Sequence, residues 1–450
     1  MIPFLQTAIV LFLMFGGLSP RYDYAGYSGR WDMTFELPDA EFSTSFDLQV
    51  SRDGTIRVYT IGPPGVTLTE GKLENNSLQL KGQSARGPIQ IIGKIEDNKI
   101  DGKWRIAVVS GNVSSLKYRP QNLPSRQAVF DDTCKKLERN FYDPQMNGID
   151  WRAVRTHYRQ LAAKTTTDGE MVQIIRQMLE ELKVSHLYFS TLSSEEAYRP
   201  KLTPQSKDAK SPTPSTSIIW KKLSPEVGYL KISSFEESTE AVRLVDRAFA
   251  EIGELPSLVL DLRGNGGGTL SVAMRLGDYL FPKTQFLGCL ATRKGLEQYK
   301  VKSMDKLKQT SLPVYDGYNV NDFLVLLRKT GAVSLRTGGR VLQNINVNRQ
   351  LAVLIDENCA STTEAVIAVI KETGIGKLIG RKSSGAMLSS ANIKVLGGWN
   401  LRYPEADYRT LGGRRVEGAG VEPDIAIAKN GSQDALNRAL EYLTSTELKK

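Results

Sequence analysis

Hydrophobic and polar positions along this chain fall into three successive patterns. Between residues 26 and 120 they alternate over short runs, as in Phe46-Asp-Leu-Gln-Val50 and Thr55-Ile-Arg-Val-Tyr59. That is the period of a half-buried strand. Turn formers break the runs at Pro63-Pro64-Gly65, Glu74-Asn75-Asn76, Arg86-Gly87-Pro88 and Asp97-Asn98. The spacing predicts an all-β domain, either a small barrel or a sandwich. Across 126–199 the period lengthens: Phe130, Cys134, Leu137 and Phe141 form one apolar stripe, and Val172, Ile175, Met178, Leu179 and Leu182 form another. These are the faces of helices, so this stretch reads as a helical subdomain whose second helix stops just before Ser185-His186. Residues 200–217 are rich in Lys, Pro, Ser and Thr without any period, which predicts a linker or mobile surface loop. From 218 to 450 continuous apolar runs alternate with helical patterns, as at Val227–Ile232, Ser257–Leu262 and Leu351–Asp356. Such runs imply a largely parallel sheet covered by helices, an α/β core.

Residues 1–20 carry an apolar core that is short for a spanning helix and suits a signal peptide. No Lys or Arg precedes that core, and no Ala-x-Ala site follows it. The expectation is an exported protein, periplasmic, cell-surface or secreted; an uncleaved anchor that keeps it near a membrane is the alternative.

Composition adds limits. With 40% hydrophobic and 24% charged residues, a large core needs no disulfides. The net charge of +10 is scattered, with no arginine-rich tract and no zinc-finger spacing, which argues against nucleic acid as a partner. Cys134, Cys289 and Cys359 fit no metal-ligand spacing. They read as three buried free thiols, with one bridge plus one free thiol as the alternative.

Two segments carry candidate chemistry. Ser361 falls between an apolar strand run and the helical run Thr362–Lys371. A serine there is ordinarily an N-cap, but the helix N-terminus also leaves the Thr362 N–H available to an oxyanion. Gly264-Asn-Gly-Gly-Gly268 is a loop rich in backbone donors. By itself it is a tight turn; it lacks the glycine spacing of nucleotide-binding loops. A serine nucleophile needs a base, and the chain has only two histidines, His157 and His186. His157 lies in a polar helical stretch and reads as a surface residue.

Taken together, Asp261-Leu-Arg-Gly-Asn-Gly-Gly-Gly268, Asn358-Cys-Ala-Ser-Thr-Thr-Glu364 and Glu417-Gly-Ala-Gly-Val-Glu-Pro-Asp424 resemble the tail-specific, or carboxyl-terminal processing, serine protease family. The likeness spans roughly 126–445, with Asn140-Phe-Tyr-Asp143 and Gly148-Ile-Asp-Trp151 in its helical lead-in. It implies a crotonase/ClpP-like core. One branch of the family uses a lysine base, and Ala386 of Ser383-Ser-Gly-Ala386 occupies that position here, with Lys382 displaced beside it. The other branch, resembling the tricorn protease core, uses a Ser-His-Ser-Glu tetrad. This chain has Ser185-His186 where that branch carries its Ser-His, and Glu417 where a glutamate closes the tetrad.

The resemblance thus implies Ser361 as nucleophile, His186 as base, Glu417 acting through Ser185, and the N–H groups of Thr362 and Gly267 as oxyanion hole. Asp261, Arg263 and Glu364 read as structural supports, and Cys359 as either narrowing the site or neutral. Protein or peptide substrates, no cofactor and no metal go with this reading; a homo-oligomer is compatible with it, and the sequence leaves assembly open. The segment between His186 and Val227 is too short for the PDZ domain that many members carry. A non-catalytic member binding hydrophobic ligands or peptides is the alternative, as is a lysine-dependent enzyme using Lys382. Separately, Gly29-Arg-Trp31 and Gly102-Lys-Trp104 resemble the Gly-x-Trp pairs of lipocalin-like barrels. They read as two tryptophans plugging one barrel end, with a ligand cavity as the second reading.

Overall fold

A computed structural model describes residues 24–445 except 39, 85, 119–122, 201–216, 341, 343–344 and 429–433. The expected signal or anchor at 1–20 and nearly all of the expected linker at 200–217 lie outside the described residues. The chain divides into two compact units. One takes in the N-terminal β-domain with Thr167–Gly169 and Ala197–Pro200. The other takes in Gln121–Thr166, Glu170–Glu196 and Lys201–Lys450.

The β-domain is a barrel. Its strands are β1 (Gly29–Glu36), β2 (Ala40–Val50), β3 (Thr55–Thr60), β4 (Val66–Glu74), β5 (Ser77–Ser84), β6 (Gly87–Glu96), β7 (Lys99–Ile106) and β8 (Val109–Lys117). Each pairs antiparallel with the next, and β1 pairs with both β2 and β8, which closes the sheet and leaves a sandwich out. Closure removes the edges that an open sheet exposes. Alternate residues point inward, so Leu78, Leu80, Ile89, Ile91, Ile100 and Trp104 fill the interior. Asn75 and Asn76, both at positive φ (48° and 63°), make the tight turn from β4 to β5.

The two tryptophans do not share an end. Trp31 is fully buried near the start of β1, and its indole N–H donates to the Tyr27 carbonyl at 2.9 Å. Trp104 donates to the carbonyl of Glu36, the last residue of β1, at 3.1 Å. Five residues of strand separate Trp31 from Glu36, roughly 16 Å. Sequence spacing carries no information on register, which is why the pair reads as a single plug.

In the second unit the predicted stripes face inward: Phe130, Cys134, Leu137 and Phe141 are fully buried, as are Val172, Ile175, Met178 and Leu182. The Cys134 thiol meets the Met178 sulfur at 3.6 Å, joining the helices Arg126–Asn140 and Asp168–Glu180. A six-stranded sheet runs in the order Ile218–Lys222, Val227–Ile232, Ser257–Asp261, Gln350–Ile355, Lys377–Gly380, Ile425–Ala426. All its pairs are parallel except the first. Both faces are covered. Leu258, Leu260, Leu351, Val353 and Ile355 pack with the helices Thr239–Ile252, Leu270–Leu280 and Thr362–Thr373. Val259, Ala352, Leu354 and Ile379 pack with the helix Ala435–Thr444.

A second sheet was not foreseen. It orders Val314–Tyr315, Ala332–Thr337, Gln285–Thr292, Trp399–Arg409 and Leu388–Val395, mostly antiparallel, and Tyr188–Ser190 also pairs with Trp399–Arg409. Its middle strand, Gln285–Thr292, is buried on both faces over Leu287–Ala291. It therefore shows a continuous apolar run rather than alternation, and reads from sequence like a strand of the parallel sheet. Among the described residues no helix is long and apolar enough to cross a membrane.

Two outcomes follow from this packing. Ile367, fully buried in Thr362–Thr373, is expected to cost about 2–5 kcal/mol when changed to Ala, read as a lower denaturant midpoint for the α/β unit. Burial pushes the pKa of Cys134, Cys289 and Cys359 up to about 12. Since the thiolate is the reactive form, none of the three should take iodoacetamide at pH 8 until the protein is unfolded. Fast labelling of folded protein would contradict that burial.

Candidate active site

The strands Ser257–Asp261 and Gln350–Ile355 are parallel neighbours, paired from Ser257↔Gln350 to Asp261↔Leu354. Their C-terminal ends therefore release two loops side by side, the position where open α/β sheets build sites. The first loop is Gly264–Gly268; the second runs from Asp356 to Ser361.

Five hydrogen bonds hold these loops. Gly264 N–H donates to Asp356 Oδ1 (3.0 Å), the Cys359 thiol to the Leu262 carbonyl (3.1 Å) and Ala360 N–H to the Asn265 carbonyl (3.1 Å). Thr362 Oγ1–H donates to the Gly268 carbonyl (2.7 Å), and Gly267 N–H to Asn265 Oδ1 (2.9 Å). Cys359 is thus a strut between the loops. Below them Asp261 is fully buried and accepts from the Arg263 fork at 2.9 and 2.7 Å and from the Tyr229 hydroxyl at 2.8 Å. Burial works against its charged form, but those donors outweigh it and hold the carboxyl below its ordinary range.

Ser361 stands at the N-cap position of the helix Thr362–Thr373 but does not cap it. Its side chain makes no cap hydrogen bond, and its backbone stands at φ 55°, ψ −128°. A non-glycine residue in that region stores on the order of 1–3 kcal/mol. The turn is held by Ser361 N–H donating to the Ala386 carbonyl (2.9 Å) and by Glu364 N–H donating to the Ser361 carbonyl (2.8 Å). Gly267 (φ +98°) must be glycine: a Cβ there would lie 2.7 Å from Ser361 Cβ and 3.1 Å from Thr362 N. The glycine loop therefore lies directly against the serine.

The oxyanion donors need one correction. Thr362 N–H has no protein acceptor among the described residues. Gly267 N–H, in contrast, is committed to Asn265 Oδ1. Gly268 forms a parallel bridge with Phe235, in which Phe235 N–H donates to the Gly267 carbonyl and Thr269 N–H to the Phe235 carbonyl. The N–H and C=O of Gly268 itself must then face the opposite way, and that carbonyl accepts from Thr362 Oγ1. Gly268 N–H, which donates to nothing among the described residues, is on the serine's side.

Ser185, His186 and Glu417 are brought together. Ser185 Oγ lies 2.7 Å from His186 Nδ1 and donates to Glu417 Oε2 at 2.9 Å. Ser185 N–H donates to Glu417 Oε1 (2.6 Å) and Met387 N–H to Oε2 (2.7 Å). Met387 follows Ala386, whose carbonyl holds Ser361 N–H, so one peptide step links the serine turn to the Glu417 cluster. Ser361 Oγ and the imidazole do not hydrogen-bond to each other in this structure. An ionised carboxylate only accepts, so Ser185 O–H points to Glu417 and its oxygen accepts from His186 Nδ1–H. Nε2 is then left with its lone pair.

His186 has φ 58° and is half-buried. Burial, followed by the nearby Arg402 guanidinium, holds its pKa down to about 4. Arg402 arrives there because it pairs with Tyr188 across the strand contact just beyond His186. His157 is exposed on its helix.

Glu364 is more than a first-turn charge. It is fully buried and accepts from Ser383 Oγ (2.6 Å), Gly385 N–H (2.7 Å) and Ala386 N–H (2.8 Å). Burial pushes its pKa up, and those bonds pull back against it. Glu364 thus fixes the turn whose Ala386 holds Ser361. Lys382 instead makes an exposed ion pair with Glu422 at 3.0 Å. Asp356, Asn265 and Glu364 carry the geometry and have no sequence signature beyond their place in the motifs. Among the described residues no group of three His, Cys, Asp or Glu side chains could hold a metal ion.

Residues 226–427 match the model of peptidase family S41, and residues 124–180 match the tricorn protease C1 domain. The chain is 24% identical over 212 residues to a probable CtpA-like serine protease of Staphylococcus aureus (strain N315), covering 47% of this chain and 35% of that protein. A protein of the same description from Staphylococcus epidermidis (strain ATCC 12228 / FDA PCI 1200) is 22% identical over 202 residues, 45% of this chain and 34% of that one. The matched segment thus spans about a third of these relatives' length. The crystal structure of a presumptive peptidase from Parabacteroides merdae ATCC 43184 aligns with a TM-score of 0.52 at 18% identity, covering 72% of this chain and 98% of that one, which is a likeness of fold. A helical lead-in that matches the tricorn protease C1 domain thus precedes an α/β core whose residues 226–427 carry a domain of peptidase family S41.

Proposed function

We propose that this protein is a serine endopeptidase working through Ser361, His186, Ser185 and Glu417, with protein or peptide substrates. The observation that carries the reading is the Glu417–Ser185–His186 chain: it sets the tautomer that leaves Nε2 as a base, and through Met387 and Ala386 it is tied to the strained turn of Ser361. A lone N-cap serine and a lone structural histidine need neither feature.

In this mechanism Ser361 Oγ attacks the scissile carbonyl while its proton passes to His186 Nε2. The oxygen that gains charge is met by the N–H groups of Thr362 and Gly268, donors already aimed and requiring no reorganisation. The imidazolium is stabilised by Glu417 through Ser185, a neutral bridge that conveys the carboxylate's pull. Collapse of the intermediate returns the proton to the leaving amine and leaves an acyl group on Ser361. Water, deprotonated by the same imidazole, then releases the acid and restores the hydroxyl.

Casein hydrolysis checks the assignment. Ser361→Ala and His186→Ala are each expected to lower kcat/KM on the order of 10⁴-fold or more, and Lys382→Ala to change it less than about twofold, as for an exposed ion pair. Activity that survives His186→Ala and vanishes in Lys382→Ala would replace this mechanism with a lysine-based one.

The pH profile is a second check. The base must be neutral, and its pKa in the free protein is about 4 against an ordinary 6.5. kcat/KM should therefore stay flat on the acid side until pH nears 4. Arg402→Gln removes one cause of the depression and should move that limb upward. The same shift lowers stability in acid: below pH 6.5 the unfolded chain takes up a proton that the folded one refuses until about 4. An acid limb centred between 6 and 7 in the wild type would contradict the assignment of His186.

A further inference from the structure

The barrel is closed at one end and open at the other. At the start of β1 the short turn Tyr24–Tyr27 and the buried Trp31 fill the interior. At the Glu36 end there is a cavity of about 310 Å³, lined by Phe35, Phe42, Val66, Ile89, Trp104 and Ile106. Protein interiors are close-packed, and this space is roughly twice the ~150 Å³ void that holds a benzene ring.

Its shape is built in. The Trp104 indole N–H is already given to the Glu36 carbonyl, so the ring offers the cavity only apolar surface. The ring fits because Gly111 lies against it, where a Cβ would come within 2.7 Å of the indole nitrogen. Gly65 (φ +147°) does the same for Phe42, whose ring a Cβ would approach to 3.0 Å. Phe35 and Phe42 form a tilted pair with centroids 6.2 Å apart.

The polar groups of the lining are few. The Ser84 hydroxyl is used in its own turn, donating to the Gly87 carbonyl and accepting from Arg86 N–H. The Glu36 carboxylate at this end accepts from the Asn112 amide. The Arg86 guanidinium is exposed and has no acceptor among the described residues. Apolar walls with one uncommitted cation in the lining define an occupant that is apolar along its length and anionic at one end.

We propose that the barrel binds a small monoanionic amphiphile of the medium-chain fatty-acid type, its chain in the cavity and its carboxylate at Arg86. The site lies wholly within the β-domain and is independent of the peptidase chemistry.

The experiment is calorimetric titration of the full-length protein with decanoate and, separately, with decanol. Saturable binding of decanoate is expected. Val109→Trp, at a partly exposed lining position, fills the cavity and should weaken both ligands at least tenfold. Arg86→Gln, on the surface and without bearing on folding, should weaken decanoate severalfold and leave decanol unchanged. No saturable binding at millimolar decanoate would overturn the proposal. So would unchanged binding by a folded Val109→Trp variant, or equal effects of Arg86→Gln on the acid and the alcohol.

Discussion

The register between two parallel strands, Ser257–Asp261 and Gln350–Ile355, is the constraint on which the candidate active site depends. Pairing Asp261 with Leu354 sets the glycine loop and the serine turn at one level. Asp356, Cys359, Ala360 and Thr362 can then each reach the other loop. A slip of the pairing would break every one of these ties at once. The strained Ser361 backbone persists because so many bonds over-determine it, and Gly267 is present because no Cβ fits beside the serine.

A second constraint is electrostatic. Glu417 is buried but not isolated: two backbone N–H groups and the Ser185 hydroxyl satisfy it. Buried carboxylate oxygens need such donors in place of the water they lose. By accepting the Ser185 proton it dictates, through one oxygen atom, which imidazole nitrogen carries hydrogen. Burial and Arg402 keep the ring neutral. In the proposed mechanism these influences are complementary: Arg402 and burial empty the base before attack, and Glu417 steadies the charge that forms during it. Glu364 plays a comparable structural part on the other side, gathering Ser383, Gly385 and Ala386 so that the Ala386 carbonyl can hold Ser361.

Much of this was legible in the sequence, for reasons that differ by element. The helical stripes and the barrel strands announce themselves by period, and the Ser361 turn by its place between a strand and a helix. The meeting of Ser185, His186 and Glu417, 232 residues apart between Ser185 and Glu417, came from resemblance to a family, since nothing local encodes it. What could not be read was register and direction. The Trp31–Trp104 pair looked like one plug because spacing does not say which barrel end a residue reaches. Gly267 looked like an oxyanion donor because a run of glycines does not reveal which N–H an asparagine will take. The antiparallel second sheet was hidden because a strand buried on both faces loses its alternation.

The proposed mechanism is tested most directly by labelling the full-length protein with a fluorophosphonate and locating the adduct by mass spectrometry, with labelling rates for wild type, His186→Ala and Glu417→Gln. The account predicts a single adduct, on Ser361, formed at a rate that nearly vanishes without His186 and falls substantially without the Glu417 carboxylate. An adduct on another residue, or labelling of Ser361 at the wild-type rate in His186→Ala, would contradict it.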